Sequence, residues 1–300
     1  MSDQTTTDTP IREAKSGQWF YLFANYIYVH FLSNGQLAWE YLRRNSQYWD
    51  DWKLTENFHN TIKAFDKALI ASDLPIEMVK TEYEKWLDLE KKSIARLPLK
   101  WHLLQLEDPA QRADESPFQW SPGIDVLSVE YTVEENAKWR GEKRSVTDLD
   151  ANFSVFLDQD GHHLTIHHKG QTIRLHGKQS PFLIGNEVLR LTDDNAKTVT
   201  QNQNAKHRAN RIFRNAPHLT DTQKLFKNRE RHIRNLIAID GLEVNATHRE
   251  LAVSMFGEMQ VEKHWGDQDN HLKQTVKRSV KNGKKYVEGD YLKLLQATVL

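Results

Sequence analysis

Between Phe153 and His176 the hydrophobic residues recur at every second position, a period that fits extended chain and not helix. Three runs carry it: Phe153 to Leu157, His162 to His168, and Gln171 to His176. Asp160-Gly161 and Lys169-Gly170 separate them, and short Gly-containing breaks between alternating runs are hairpin turns. The spacing predicts a small antiparallel β-meander with Leu164, Ile166, Ile173 and Leu175 facing inward.

Elsewhere the period is helical. Trp19 to Leu32 and Gln36 to Trp52 read as helices, the second placing Leu37, Tyr41, Leu42, Tyr48 and Trp52 largely on one side. Glu56 to Ala71 continues helically, Leu74-Pro75 interrupts, and Glu77 to Ala95 resumes. Periodicity is lost around Pro98, Pro109, Pro117 and Pro122, and Tyr131 to Asp150 is charged with few large apolar residues. From Lys197 to Asn215 apolar residues are sparse, so a helix there is expected to be largely solvated. The expected class is α+β, mainly α. A disordered tail (1–16) precedes a helical regulator-like domain (17–125), a linker (126–150), and a region (151–300) that joins the meander to a helix-turn-helix-like unit. Three hundred residues suit two domains better than one.

The last segment has the clearest start and stop signals. Thr220 with Gln223 fits a capping box opening a helix through Phe226, Ile233, Leu236 and Ile237 to a stop at Gly241. Thr247 with Glu250 fits another, opening His248 to Phe256 before Gly257. A loop with Trp265 and Gly266 leads to a third helix, about Asp269 to Asn282, ended by Gly283. Its Leu272, Val276 and Val280 can seat it on the first two. Residues 284–295 fit either a wing or a short final helix.

The formal net charge of zero conceals two opposite ends. From Ala205 onward there are 18 Lys and Arg against 11 Asp and Glu, a surplus of +7; the first 204 residues carry the balancing −7. Positive charge confined to one end suits a part that neutralises phosphates. On the third helix Lys273, Lys277 and Lys281 form an i, i+4, i+8 stripe, joined by Gln274, Arg278, Lys284 and Lys285. Such a helix fits the major groove of double-stranded DNA, its lysines holding phosphates and Gln274 and Arg278 offering planar donors to base edges. A solvated surface helix is the competing reading.

Arg43 and Arg44, beside aromatics, are candidate contacts to a partner; equally, Glu40 can pair with either at helical spacing. The histidines His162, His163, His167, His168 and His176 do not point to a metal, since His163 and His167 stand ~13 Å apart along a strand, and solvated sheet is the default for them. With no cysteine there is no thiolate site and no disulfide framework, consistent with a cytoplasmic setting. A phosphate-cradling Gly-rich loop, a G-x-S-x-G elbow and an H-E-x-x-H motif are all missing, so the chain does not read as an enzyme, and no cofactor is implied. Met1 to Pro10 lacks the signature of a signal peptide, and the fourteen residues Trp19 to Leu32 are too short and polar for the ~20 a bilayer requires.

The run Thr247-His248-Arg249-Glu250-Leu251-Ala252 to Met255-Phe256-Gly257, followed by Leu272, Val276-Lys277-Arg278, Gly283 and Gly289 to Leu295, resembles a proteobacterial helix-turn-helix-variant DNA-binding domain. Ala38-Trp39-Glu40-Tyr41-Leu42-Arg43-Arg44-Asn45, with Tyr48, Trp52, Asp108-Pro109, Ala113-Asp114-Glu115, Phe118 and Trp120, resembles the transcriptional-regulator-like domain often fused upstream of it. Residues 54–97 look like a helical insertion. Two-domain proteins of this type include activators of excision and transfer genes of integrative and conjugative elements, and stand-alone forms of the second domain act as antiactivators. The resemblance implies a transcription factor of mobile-element genes, with an interaction protein that binds another regulator as the alternative. DNA, RNA polymerase or another protein, and a second copy of the chain are the partners it suggests. The family commonly has Arg at the positions of Lys273, Thr275 and Lys277, which makes the two lysines phosphate contacts rather than readers of guanine.

Overall fold

The computed structural model describes residues 24–70, 92, 94–135, 146, 149, 151–158, 160–168, 171–183, 187–214, 222–267 and 270–296. The expected N-terminal tail, the helix over Glu77 to Ala95 for the most part, and the cap at Thr220 lie outside these. The chain divides into two compact units, neither contiguous in sequence: described residues 33–214 with 292–296 form one, and 24–32 with 222–291 form the other.

The larger unit opens with α1 (Asn34–Leu42), started by a capping box between Ser33 and Gln36. The expected helix over Gln36 to Trp52 is broken at Asn45, whose side-chain oxygen accepts from Gln47 N and Tyr48 N and so starts α2 (Ser46–Ile70). α1 is buried almost all round. Trp39 stacks on Phe118 with ring centroids 5.0 Å apart, and the indole N–H groups of Trp39 and Trp120 donate to Gln111 O and Gly35 O.

Arg43 and Arg44 are therefore not a surface contact. Both are 7% exposed and converge on the fully buried Glu40, Arg43 Nε at 2.7 Å and Arg44 Nη1 at 2.6 Å. Glu40 also accepts from Ala113 N at 2.8 Å, and Arg43 donates to Pro109 O, tying α1 to the loop beyond the helices. These donors outweigh the cost of burial and hold the Glu40 carboxyl down at about 2.

The meander is present as β2 (Asn152–Leu157), β3 (His162–His168) and β4 (Gln171–Gly177), with Leu164, Ile166, Ile173 and Leu175 all buried. It belongs to a five-stranded mixed sheet in the order β2-β3-β4-β1-β5. β1 (Ser128–Glu135) occupies the first part of the stretch expected to be linker, running parallel to β4 and antiparallel to β5 (Glu187–Thr192). Glu130, Thr132 and Glu134 alternate with Val129, Tyr131 and Val133, which are left to the core.

The helix expected to be solvated, α3 (Val199–Phe213), instead covers this core through Ala205, Ala209 and Ile212, a short apolar stripe at i, i+4 and i+7. On the opposite face of the sheet Arg174 pairs with Asp125 at 2.5 Å, both buried. His163 and His168 are buried as well, His163 against Asp158 at 3.0 Å, so the histidine-rich strand is not solvated sheet. Among the described residues no group of three His, Asp or Glu is placed to hold a metal ion.

Candidate nucleic-acid interface

The second unit is a helical cluster around α4 (Thr222–Glu243). Ile233, Leu236, Ile237 and Ala238 of α4 are buried with Leu251, Ala252 and Met255 of α5 (His248–Phe256) and Val261 of α6 (Glu258–His264). A 3-10 helix, Ala24–Phe31, packs on α4 with Tyr26 and Val29 buried, and the Tyr26 hydroxyl donates to Asp240. α4 runs past the expected stop at Gly241; its end is set by Asn245 in a left-handed conformation (φ 60°), which Asn tolerates better than most residues. The capping box of α5 forms as expected, with Thr247 and Glu250 exchanging backbone and side-chain hydrogen bonds, and α5 ends at Gly257 (φ 85°). The expected loop after Gly257 is largely α6.

The third helix, α7 (His271–Lys285), starts where Asn270 Oδ1 accepts from Lys273 N at 3.0 Å. It does not end at Gly283. A Cβ on Gly283 would lie 2.7 Å from Ile239 Cγ1 and 2.9 Å from Asn235 O, so this glycine permits the close crossing of α7 and α4. The buried stripe is Leu272, Val276, Ser279 and Gly283, at spacings of four, three and four, with Val280 only half buried. The helix continues through a π-turn, Tyr286–Asp290, so no wing forms between 284 and 290. α8 (Leu292–Gln296) follows and packs on α1 in the larger unit.

All seven residues expected to meet DNA, namely Lys273, Gln274, Lys277, Arg278, Lys281, Lys284 and Lys285, are exposed. α7 contains six of the chain's cations and no carboxylate. At ~100° per residue they divide into two groups. Gln274, Arg278, Lys281 and Lys285 lie opposite the buried stripe, at the crest of the helix. Lys273, Lys277 and Lys284 lie on one flank, where Lys273 Nζ rests 5.1 Å from the centre of the Trp265 ring. Lys281 thus belongs with the crest and not with the stripe its spacing suggested. Beneath α7, His232 is buried beside Tyr286 with ring centroids 5.2 Å apart, and burial among arginines lowers its pKa to about 3.

A basic helix face seated on a capped helical cluster agrees with what sequence comparison finds for the same residues. Residues 188–296 match the family described as T6SS, transcription factor, DNA-binding domain. Residues 23–73 match the proteobacterial transcriptional regulator-like domain. The two matches support a DNA-binding regulator. Neither is a family of enzymes, and no curated protein matches the chain. The DNA-binding domain so matched includes β5 and α3 as well as the helical cluster, and the regulator-like domain takes in both the 3-10 helix and α1. Both matches therefore draw on both compact units. No described helix is long and apolar enough to cross a membrane.

Proposed function

We propose that the chain is a sequence-specific transcription factor that lays α7 in the major groove of duplex DNA. The acid-free, fully exposed face of α7 opposite its buried stripe carries this reading. Its crest pairs planar multi-donor groups, Gln274 and Arg278, with Lys281 and Lys285, while Lys273, Lys277 and Lys284 stand at the height of a phosphate backbone on one side. The chain acts in the cytoplasm, without catalysis or cofactor. Its targets are genes of an integrative and conjugative element or plasmid, the class that its two-domain resemblance implies; the name of the matched DNA-binding family makes type VI secretion genes the competing target. RNA polymerase is the partner expected of an activator.

Electrophoretic shift with the full chain tests both levels. Preference for the upstream region of its own gene or neighbouring transfer genes over random duplex at physiological salt is the expected result, and preference for secretion-gene promoters would reassign the targets. Equal affinity for all duplexes would end the sequence-specific reading. Stable capture of another regulator without any DNA affinity would make the chain an antiactivator-like binding protein.

A further inference from the structure

The sheet of the larger unit ends at β2, which among the described residues pairs on one side only, with β3. Edge strands are normally protected by charge, proline or a bulge. β2 reads Asn-Phe-Ser-Val-Phe-Leu, with no charge and no proline. Phe153, Val155 and Leu157 alternate along it on the face that holds Leu164 and Ile166, and are 45%, 41% and 63% exposed. The apolar face of the sheet thus continues past the part that is buried. Among the described residues two contacts reach this strand from beyond the sheet: the Phe153 ring lies 5.8 Å from that of Phe182 by centroids, and Gln119 Nε2 donates to Ser154 O at 3.4 Å and to its hydroxyl at 3.3 Å. A carbonyl has a second lone pair for an incoming N–H.

We propose that β2 is the docking surface for a second copy of this chain, the two β2 strands pairing antiparallel about a two-fold axis at Val155. The strand is complementary to itself in that register. Val155 meets Val155 of the second copy, Phe153 meets Leu157, and the absence of charge means that no like charges are brought together, as they would be in almost any other self-pairing of so charged a surface. A partner selected by charge finds nothing to hold here, which sets DNA and basic or acidic peptides aside. Six residues of edge strand bury well under the ~1,200 Å² of a standard interface, so the pairing is weak in free solution and strengthened when two copies occupy one DNA. A regulator with one reading helix per chain gains a second half-site by this means.

The chain has no cysteine, so one introduced thiol reports one position without background. Directly opposed residues of an antiparallel pair have Cα atoms ~4.5–5.5 Å apart, within reach of a disulfide. Under mild oxidation of the full chain, without and with DNA, Val155→Cys is expected to double the 35.1 kDa band. Phe153→Cys and Leu157→Cys should each cross-link poorly alone and efficiently when mixed. Met259→Cys, on a more exposed side chain of the other unit, is the control. Cross-linking of Val155→Cys no faster than the control, or no advantage for the mixed pair, overturns the proposal. Because the readout needs no DNA, failure to bind DNA and failure to pair are told apart.

Discussion

Gly283 faces Ile239 where α7 crosses α4, so closely that a methyl group on the glycine would stand 2.7 Å from Ile239 Cγ1. Two effects oppose each other at this position. Alanine is the better helix former by ~1 kcal/mol, yet overpacking a tight crossing costs ~1–3 kcal/mol. Backbone is part of the obstruction, through Asn235 O at 2.9 Å, and backbone does not yield as a side chain can. Gly283→Ala is expected to destabilise the chain in urea unfolding, and Gly283→Val more so. Stabilisation by alanine would show that the crossing is looser than this.

Glu40 gives an acid-dependent stability with a defined window. Its folded pKa of about 2 lies below its ordinary 4.5, so the folded state holds fewer protons and the contribution is complete above pH 4.5. As pH falls towards 2 it is lost, about 3 kcal/mol over the interval. Glu40→Gln strands two buried guanidinium groups and should cost ~3–5 kcal/mol at neutral pH. Unfolding midpoints of the two proteins, measured from pH 7 to 3, should converge in acid.

His232 acts in a higher window. Its pKa is lowered from 6.5 to about 3 by burial first and by Arg229 and Arg231 next, so below pH 6.5 the unfolded chain takes up a proton that the folded chain refuses. Stability therefore declines from pH 6.5 downward, on the order of 4 kcal/mol by pH 3. His232→Phe keeps a ring beside Tyr286 and should make the profile shallower between pH 6.5 and 4.5, where Glu40 contributes no slope and the slope that remains comes from His176, which burial lowers to about 4. A profile unchanged by the substitution would mean that His232 is reached by solvent.

On α7 the flank and the crest should respond differently. Alanine at Lys273, Lys277 or Lys284 is expected to weaken every duplex about equally and to lower the salt slope by nearly one unit each. Lys273 should give the smallest effect of the three if its ammonium stays over the Trp265 ring. Fluorescence anisotropy titrations against salt supply the slopes, and three unchanged values would put the DNA face elsewhere.

Arg278→Lys retains the charge and removes the guanidinium fork. If the crest reads bases, affinity for the specific site should fall by ~1–3 kcal/mol while random duplex binds as before. Equal losses on both would assign Arg278 to the backbone and leave Gln274 as the remaining reader on the crest.

Local signals in the sequence were legible and non-local ones were not. The capping box of Thr247 and Glu250, the alternation of the meander and the exposed cations of α7 each depend on residues within one or two turns of chain. In sequence β1 reads as linker because its partners, β4 and β5, lie far along the chain, and its glutamates mask the alternation of Val129, Tyr131 and Val133. The burial of α3 rests on alanines, which carry little hydrophobic signal but allow a helix to approach a sheet closely. Gly283 has the composition of a stop signal and serves as a contact. Arg43 and Arg44 look like surface cations until Glu40 and the backbone at Pro109 and Ala113 are folded around them.

The 3-10 helix at Ala24–Phe31 belongs with α4, although some 190 residues separate Leu32 from Thr222. During synthesis at ~5–20 residues per second, Tyr26 waits on the order of 10 to 40 seconds for Asp240 to be made. α7 comes later still. An interrupted product that stops short of α4 leaves this apolar segment without its seat. A product that stops before α7 lacks the face proposed to meet DNA and, on that proposal, is silent at the promoter rather than dominant there.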